Sequence, residues 1–456
     1  MANPVSITTQ LGTSVSRGGV REVGILAFPV VLTQMSTTAM MIVDSAMVGR
    51  LGATQLAAVG LGGIWLWTAV VVFVGAASGV QIFVSQAHGA GNARDCGPWV
   101  WYALASLLPL SVVGAGTLAL LVEPFLRLLG PSAELQSVAA SYMLPRLPGS
   151  VGVTVTMILA SFFRGLGNTR TPLYATLVAV GVNAVLDYGL IFGRLGLPEW
   201  GVAGAGAATA IGEWVNAGIL FAVFSRHGMS ARFGTAPRWP IARQVRRFLR
   251  TGAPVGGQWV LDMLSFAAFT TLIARMGDAS MAASQAFIML LSISFMQAFG
   301  ISIASSTLVG RYIGADDLAA ARRSFWSGLK LVLLVGGAIA ALFIGFPDAL
   351  LRVFTDDPAV LRFGAPLVVL GALFQLLDAV GIIAGGALRG AGDTRWPFWV
   401  HTALAWLVFV PLAYLLGVKL GGGLTAAWAG ATFYVAALAG ALVWRFVSGA
   451  WQEIHI

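Results

Sequence analysis

"FRGLGNTRTP" at residues 163–172 returns as "LRGAGDTRWP" at residues 388–397, an offset of 225. The same register pairs Pro29 with Pro254, "RLGATQLAA" (50–58) with "RMGDASMAA" (275–283), and "AHGAGN" (87–92) with "YIGADD" (312–317). Chance likeness between Gly-rich helices does not hold one register across so much of a chain. The sequence is therefore an internal duplication, of the kind that builds membrane bundles from two copies of one unit.

The repeated unit is made to sit in lipid. Of 456 residues, 58% are hydrophobic and only 10% charged, with a mean hydropathy of +0.85; soluble domains carry about 25% charged residues. Apolar runs recur along the chain, each long enough to cross roughly 30 Å of hydrocarbon. The 57 glycines and 15 tryptophans suit close helix approach and interfacial anchoring. Pro, Gly and charge divide the chain into twelve spans. They lie near 23–47, 58–84, 99–122, 138–162, 172–192 and 202–224, then 252–274, 281–308, 324–346, 362–386, 397–416 and 425–447. The expected fold is an all-α polytopic membrane protein with twelve transmembrane helices in two six-helix bundles. Six is even, so both copies enter from one side and a pseudo-two-fold axis along the membrane normal should relate them. The expected layout is an N-terminal tail (1–22), an N-lobe (23–224), a basic linker (225–251), a C-lobe (252–447) and a C-terminal tail (448–456). The first twenty residues lack the compact charged and apolar regions of a cleavable signal and read as a short disordered tail.

With both termini on one side, 19 of the 27 Lys+Arg fall on that side and 8 on the other, which makes the rich side cytoplasmic. The net charge of +9 is then membrane topology and not a nucleic-acid footprint. A single cysteine, Cys96, rules out a disulfide within the chain.

Five of the 18 acidic residues fall inside spans: Asp44, Asp187, Glu213, Asp262 and Asp378. Shifted by the repeat they meet Phe269, Leu412, Leu438, Thr37 and Val153, so no acid has an acidic mate. A carboxylate among lipid-embedded helices costs about 2.5–3.5 kcal/mol and marks an ion or substrate path. The bland alternative is a protonated carboxyl bonded between helices. Asp44 lies near the outer end of span 1; Asn183 and Asp187, four apart on one face, lie near the outer end of span 5. Ala205 and Thr209 occupy a similar depth in span 6. Two carboxylates, an amide oxygen, a hydroxyl and a backbone carbonyl would converge there, an all-oxygen set suited to Na⁺ or a shared proton. In the second half Asp262 and Asp378 both lie roughly 12–15 Å from the cytoplasmic side, by a rise of 1.5 Å per residue, and would pair across the bundle. Gln34, Gln258 and Gln375 are either cleft-lining groups or interhelical glue. Glu213 reads as an interhelical hydrogen bond.

At this point the chain resembles the multidrug and toxic compound extrusion (MATE) family over nearly its whole length. The likeness is carried by "FPVVLTQ" (28–34), "VDSAMVG" (43–49), "GAPVGGQWVLD" (252–262), "FQLLDAVGIIAGGALRGAGDTRWP" (374–397) and the paired RG loops. The resemblance implies two six-helix lobes and export driven by inward Na⁺ or H⁺, with no other cofactor. It implies that Asp44, Asn183, Asp187, Ala205 and Thr209 are the first-lobe cation residues. It also implies that Asp262 and Asp378 are a second-lobe cation or substrate pair in the family's NorM branch, where Asp262 stands in place of an expected Glu. The substrate class it implies is amphiphilic, often cationic, organic compounds, handled by a monomer in a bacterial inner membrane.

Other classes find less in the residues. A lipid-linked precursor flippase or metabolite exporter of a related superfamily is the nearest alternative, but flippases tend to have more helices and a basic cleft. Of four histidines only His401 lies in a span. No H-E-x-x-H, G-x-S-x-G or Walker motif is present, which disfavours an enzyme or an ATP-driven pump. The in-span acids form no repeated ring, which disfavours a channel.

Overall fold

The computed structural model describes residues 16–454. The tail expected over 1–22 lies mostly outside the described residues, and the first helix starts at Val20. Twelve helices among the described residues are long and apolar enough to cross a membrane: α1 (Val20–Gly49), α2 (Ala53–Gly89), α3 (Ala93–Leu129), α4 (Ala133–Gly165), α5 (Arg170–Phe192), α6 (Val202–Phe224), α7 (Ala242–Ala274), α8 (Asp278–Gly314), α9 (Leu318–Gly345), α10 (Pro358–Ala391), α11 (Arg395–Lys419) and α12 (Gly423–Val447). The duplication reaches the element boundaries: α2 and α8, α4 and α10, and α5 and α11 each begin 225 residues apart.

Two compact units result. In one, which holds residues 32–88 and 92–257, α4 is the central helix and packs on α2, α3 and α6, while α5 lies on α6. In the other, which holds the residues up to Val31, Gly89–Gly91 and the chain from Gln258 onward, α10 is central and packs on α8, α9 and α12. The packing scheme is thus duplicated along with the sequence. Chain order alone does not reveal that α1 and α7 each serve both units. The start of α1 is held by second-half helices: Tyr312 OH donates to the Glu22 carboxylate at 2.8 Å, and Ser327 Oγ donates to the Gly18 carbonyl at 2.7 Å. The start of α7 lies against α2, where a Cβ on Gly75 would sit 2.7 Å from Gly256 Cα. Each transfer comes two or three residues after a proline, Pro29 or Pro254, where the helix lacks one backbone hydrogen bond.

The repeated RG loops owe their composition to backbone demands. Gly165 and Gly390 lie in the last turns of α4 and α10, where those helices meet α2 and α8; a side chain there would come within 2.8 Å of Val84 Cβ and 2.3 Å of the Ser306 carbonyl. Gly167 and Gly392 take φ of +77° and +91°, a left-handed turn that glycine enters without strain. The next residue differs in role. Asn168 stays local, accepting from Thr171 N at 3.2 Å and donating to Thr171 Oγ1 at 2.8 Å. Asp393 instead accepts from Arg445 Nε at 2.8 Å.

Candidate functional site

The first-unit site is assembled by a stripe on α5. Pro172, Thr176, Ala179, Asn183 and Asp187 follow helical spacing along its buried face. Small residues let α6 close on that face: a Cβ on Gly212 would lie 3.2 Å from Asn183 Cβ, and Asn216 Nδ2 reaches Thr176 Oγ1 at 3.3 Å. Asn183 and Asp187 are both 0% exposed. Asp44, half-buried in the C-terminal part of α1, faces Asp187, and Asn183 adjoins the same carboxylate. None of these contacts has the alignment of a made hydrogen bond. Both Asp187 oxygens, both Asn183 amide atoms and Asp44 Oδ1 are buried without a hydrogen-bond partner among the described residues.

On α6, Thr209 and Ala205 are buried at the expected one-turn spacing, and Thr209 Oγ1 donates to the Ala205 carbonyl at 2.8 Å. With its proton committed there, the hydroxyl has only acceptor capacity left to offer. The structure thus brings Asp44, Asn183 and Asp187 together and places Thr209 and Ala205 on the helix packed against them.

One charge in this neighbourhood is additional to the expected set. Arg146, on α4, lies within electrostatic reach of Asp44, Asp187 and Glu213. By the charge count Arg146 falls among the eight basic residues of the poorer side, yet it is the only basic residue between Arg127 and Arg164 and sits well inside a helix. That isolation was its sequence signal. Glu213 therefore has a cationic neighbour, and the hydrogen bond from Thr156 Oγ1 goes to its backbone carbonyl, at 3.4 Å. No cluster of three or more His, Cys, Asp or Glu able to hold a metal ion exists among the described residues. Two carboxylates, an amide and a hydroxyl fit a proton or a monovalent hard cation better than a transition metal.

In the second unit Asp262 and Asp378 are within electrostatic reach of each other, from α7 and α10. Arg389 and Tyr434 share that field. His401, on α11, brings Nδ1 to 3.6 Å from Asp262 Oδ1, beyond hydrogen-bond length. The second-unit pair thus has companions that acid spacing did not reveal. The glutamines separate. Gln375 is buried and used at both ends, accepting from Ser294 Oγ on α8 and donating to the Gly336 carbonyl on α9 at 2.7 Å. Its contacts are those of interhelical glue. Gln258 is buried on α7, and Gln34 is half-buried on α1, where its backbone carbonyl accepts from Thr37 and Thr38.

Comparison with known proteins bears on the whole arrangement. The family model described as MatE matches residues 29–189 and again 254–415, beginning at Pro29 and at its repeat mate Pro254. "Multidrug resistance protein NorM" of Burkholderia vietnamiensis is 31% identical over 433 residues, covering 92% of each chain. "Probable multidrug resistance protein NorM" of Thermotoga maritima is 31% identical over 422 residues, covering 90% of this chain and 88% of its own. Among solved structures, a eukaryotic MATE transporter superposes with a TM-score of 0.84 at 20% identity, over 95% of this chain and 96% of that one. An outward-facing multidrug resistance MATE transporter reaches 0.87 at 18% identity, over 97% of this chain and 100% of that one. At those identities the structures speak for the fold.

Proposed function

The chain belongs to the MatE family of membrane transporters, and from that premise we propose that it exports amphiphilic, often cationic, organic compounds in exchange for inward Na⁺ or H⁺. Its relatives' names, multidrug resistance proteins, support the substrate class. The observation that carries the coupling is the first-unit cluster, where Asp187 and Asn183 are wholly buried with all four polar side-chain atoms unsatisfied and Asp44 turned toward them. Two carboxylates held close together out of water do not both ionise cheaply, and a bound proton or cation relieves that cost beyond what Arg146 supplies. Such a site binds its ion and gives it up as its surroundings change.

Binding the ion at Asp44, Asn183, Asp187 and Thr209 favours one conformation and binding the exported compound favours the other, with reciprocal coupling. One driving charge moving across the membrane supplies about 2.3 kcal/mol per 100 mV. Asp262 and Asp378 serve as a second cationic subsite, for the coupling ion or for a cationic substrate. The working unit is a monomer in the inner membrane with both termini in the cytoplasm.

Ethidium efflux from proteoliposomes under an imposed Na⁺ or pH gradient tests this reading. Asp44→Asn and Asp187→Asn should each lower gradient-driven efflux by roughly 5–150-fold, the range set by a coupling energy of 1–3 kcal/mol. Normal pumping by Asp44→Asn, Asp187→Asn and Asp378→Asn under either gradient would sink the assignment.

A further inference from the structure

The segment between α6 and α7 carries seven arginines, at 226, 232, 238, 243, 246, 247 and 250, and no acidic residue. Positive-inside topology explains basic residues in a loop, but it asks for no particular shape. Here the shape is fixed. A short helix, His227–Phe233, ends on the buried Phe233, whose ring meets Phe162. Thr235 Oγ1 donates to the Phe224 carbonyl at 2.8 Å, and Trp101 Nε1 donates to the Thr235 carbonyl at 3.0 Å. Beyond the turn, Phe248 is 0% exposed against Phe83, and Arg247 lies over the Phe83 and Trp99 rings. The segment is a ledge pinned at both ends to the first unit, and all seven of its arginines are exposed.

A second feature of the ledge does not belong on a face meant only for water. Trp239, between Pro237 and Pro240, is 92% exposed, and Ile241 beside it is 55% exposed. Indole side chains with nothing to pack on favour the headgroup level of a bilayer. Arg94 on the adjoining turn is also exposed, and a Cβ on Gly234 would lie 2.2 Å from its carbonyl, so that turn and the ledge are one surface. The acid on that turn is its neighbour Asp95.

We propose that residues 226–250 form a binding ledge for anionic phospholipid headgroups of the cytoplasmic leaflet. Guanidinium forks at Arg238, Arg243 and Arg246 hold headgroup phosphates in pairs of hydrogen bonds, while Trp239 and Ile241 insert at the glycerol level. The ledge fixes the first unit to the membrane surface through lipids of one charge class.

The test titrates the purified full-length chain in detergent with brominated phosphatidylglycerol or brominated phosphatidylcholine, reading quenching of tryptophan fluorescence. The parent should bind phosphatidylglycerol more tightly, and the preference should shrink as salt screens the charges. The triple variant Arg238→Gln, Arg243→Gln, Arg246→Gln should lose roughly 100-fold in affinity, at about fivefold per basic residue near an anionic surface. The corresponding triple Lys variant keeps the charge but not the paired hydrogen bonds and should bind between the parent and the Gln variant, and Trp239→Phe should remove part of the quenching. Inorganic phosphate should fail to displace the lipid. Equal affinity of the parent for the two lipids at low salt overturns the proposal, even if the Gln variant does not fold. So does undiminished binding by a folded Gln variant, or ready displacement by phosphate, which would make the ledge a plain anion patch.

Discussion

The two copies of the repeat handle the same positions with opposite chemistry. Where the first has Asp44, the second has Phe269; for Asn183 it has Val408, for Asp187 Leu412, and for Thr209 Tyr434. Phe269 is 0% exposed and packs its ring 5.0 Å from Trp428 and 4.9 Å from Phe409, which in turn stacks on Tyr434 at 5.0 Å. Polar side chains in one unit thus correspond to apolar ones in the other, two of which, Phe269 and Tyr434, belong to an aromatic cluster. The helices have followed. Asn183 and Asp187 lie on α5, a regular helix, whereas its mate α11 widens into π turns at Ala405–Phe409 and Leu415–Lys419. The lesson is that duplication preserved how the helices pack and released what their interior faces carry.

That contrast breaks most visibly if the two chemistries are exchanged. Phe269→Asp removes a fully buried ring and leaves a carboxylate among aromatics. Losing the ring alone costs about 3–5 kcal/mol, and the charge adds to it. The variant should fail to give a monodisperse peak on size-exclusion chromatography. Asp44→Phe should remain folded, because Asp44 is half-buried beside the exposed Ile42 and Val43, while its gradient-driven efflux disappears. If Phe269→Asp folds as well as the parent, the second unit tolerates a polar site and the division of labour is weaker than the packing implies.

A smaller contrast lies in the RG loops. Asp393, 3% exposed, holds Arg445, whose guanidinium also lies over Trp396 at 5.3 Å. Asp393→Asn gives the second loop the residue that the first has at this position and weakens a charge-assisted bond worth about 1.5–3 kcal/mol. Thermal unfolding in detergent should show a lowered midpoint, and Arg445→Leu in the same background should lower it by less than it does in the parent.

Much of this was legible in the sequence. Twelve spans could be read because Gly, Pro and charge interrupt long apolar runs, and the repeat could be read because glycines that permit backbone approach, such as Gly165 and Gly390, tolerate little substitution. Asp44, Asn183 and Asp187 stood out because a polar residue in lipid is expensive wherever it falls. Three features did not stand out. Arg146 lay hidden because the basic residues were read for topology and not for burial. The exchange of the first turns of α1 and α7 between units depends on which surfaces meet, and hydropathy does not encode that. The aromatic cluster around Phe269 and Trp428 was invisible because one apolar side chain reads like another until packing sorts them.

The faintest contrast is at Asn168, and it separates two reasons for a conserved loop shape. Asn168 is exposed, and its bonds reach only Thr171. The arginine that pairs with Asp393 has no counterpart here, because the mate of Arg445 in the first half is Leu220. Asn168→Ala should therefore cost about 0.5 kcal/mol, the low end for an intramolecular hydrogen bond when water replaces the partner. Its unfolding midpoint should fall much less than that of Asp393→Asn. If the two losses are equal, the loop's third position is held by backbone geometry in both halves and the Arg445 ion pair contributes little. If Asn168→Ala is the more damaging, the local bonds to Thr171 position the start of α5, and with it the stripe that carries Asn183 and Asp187.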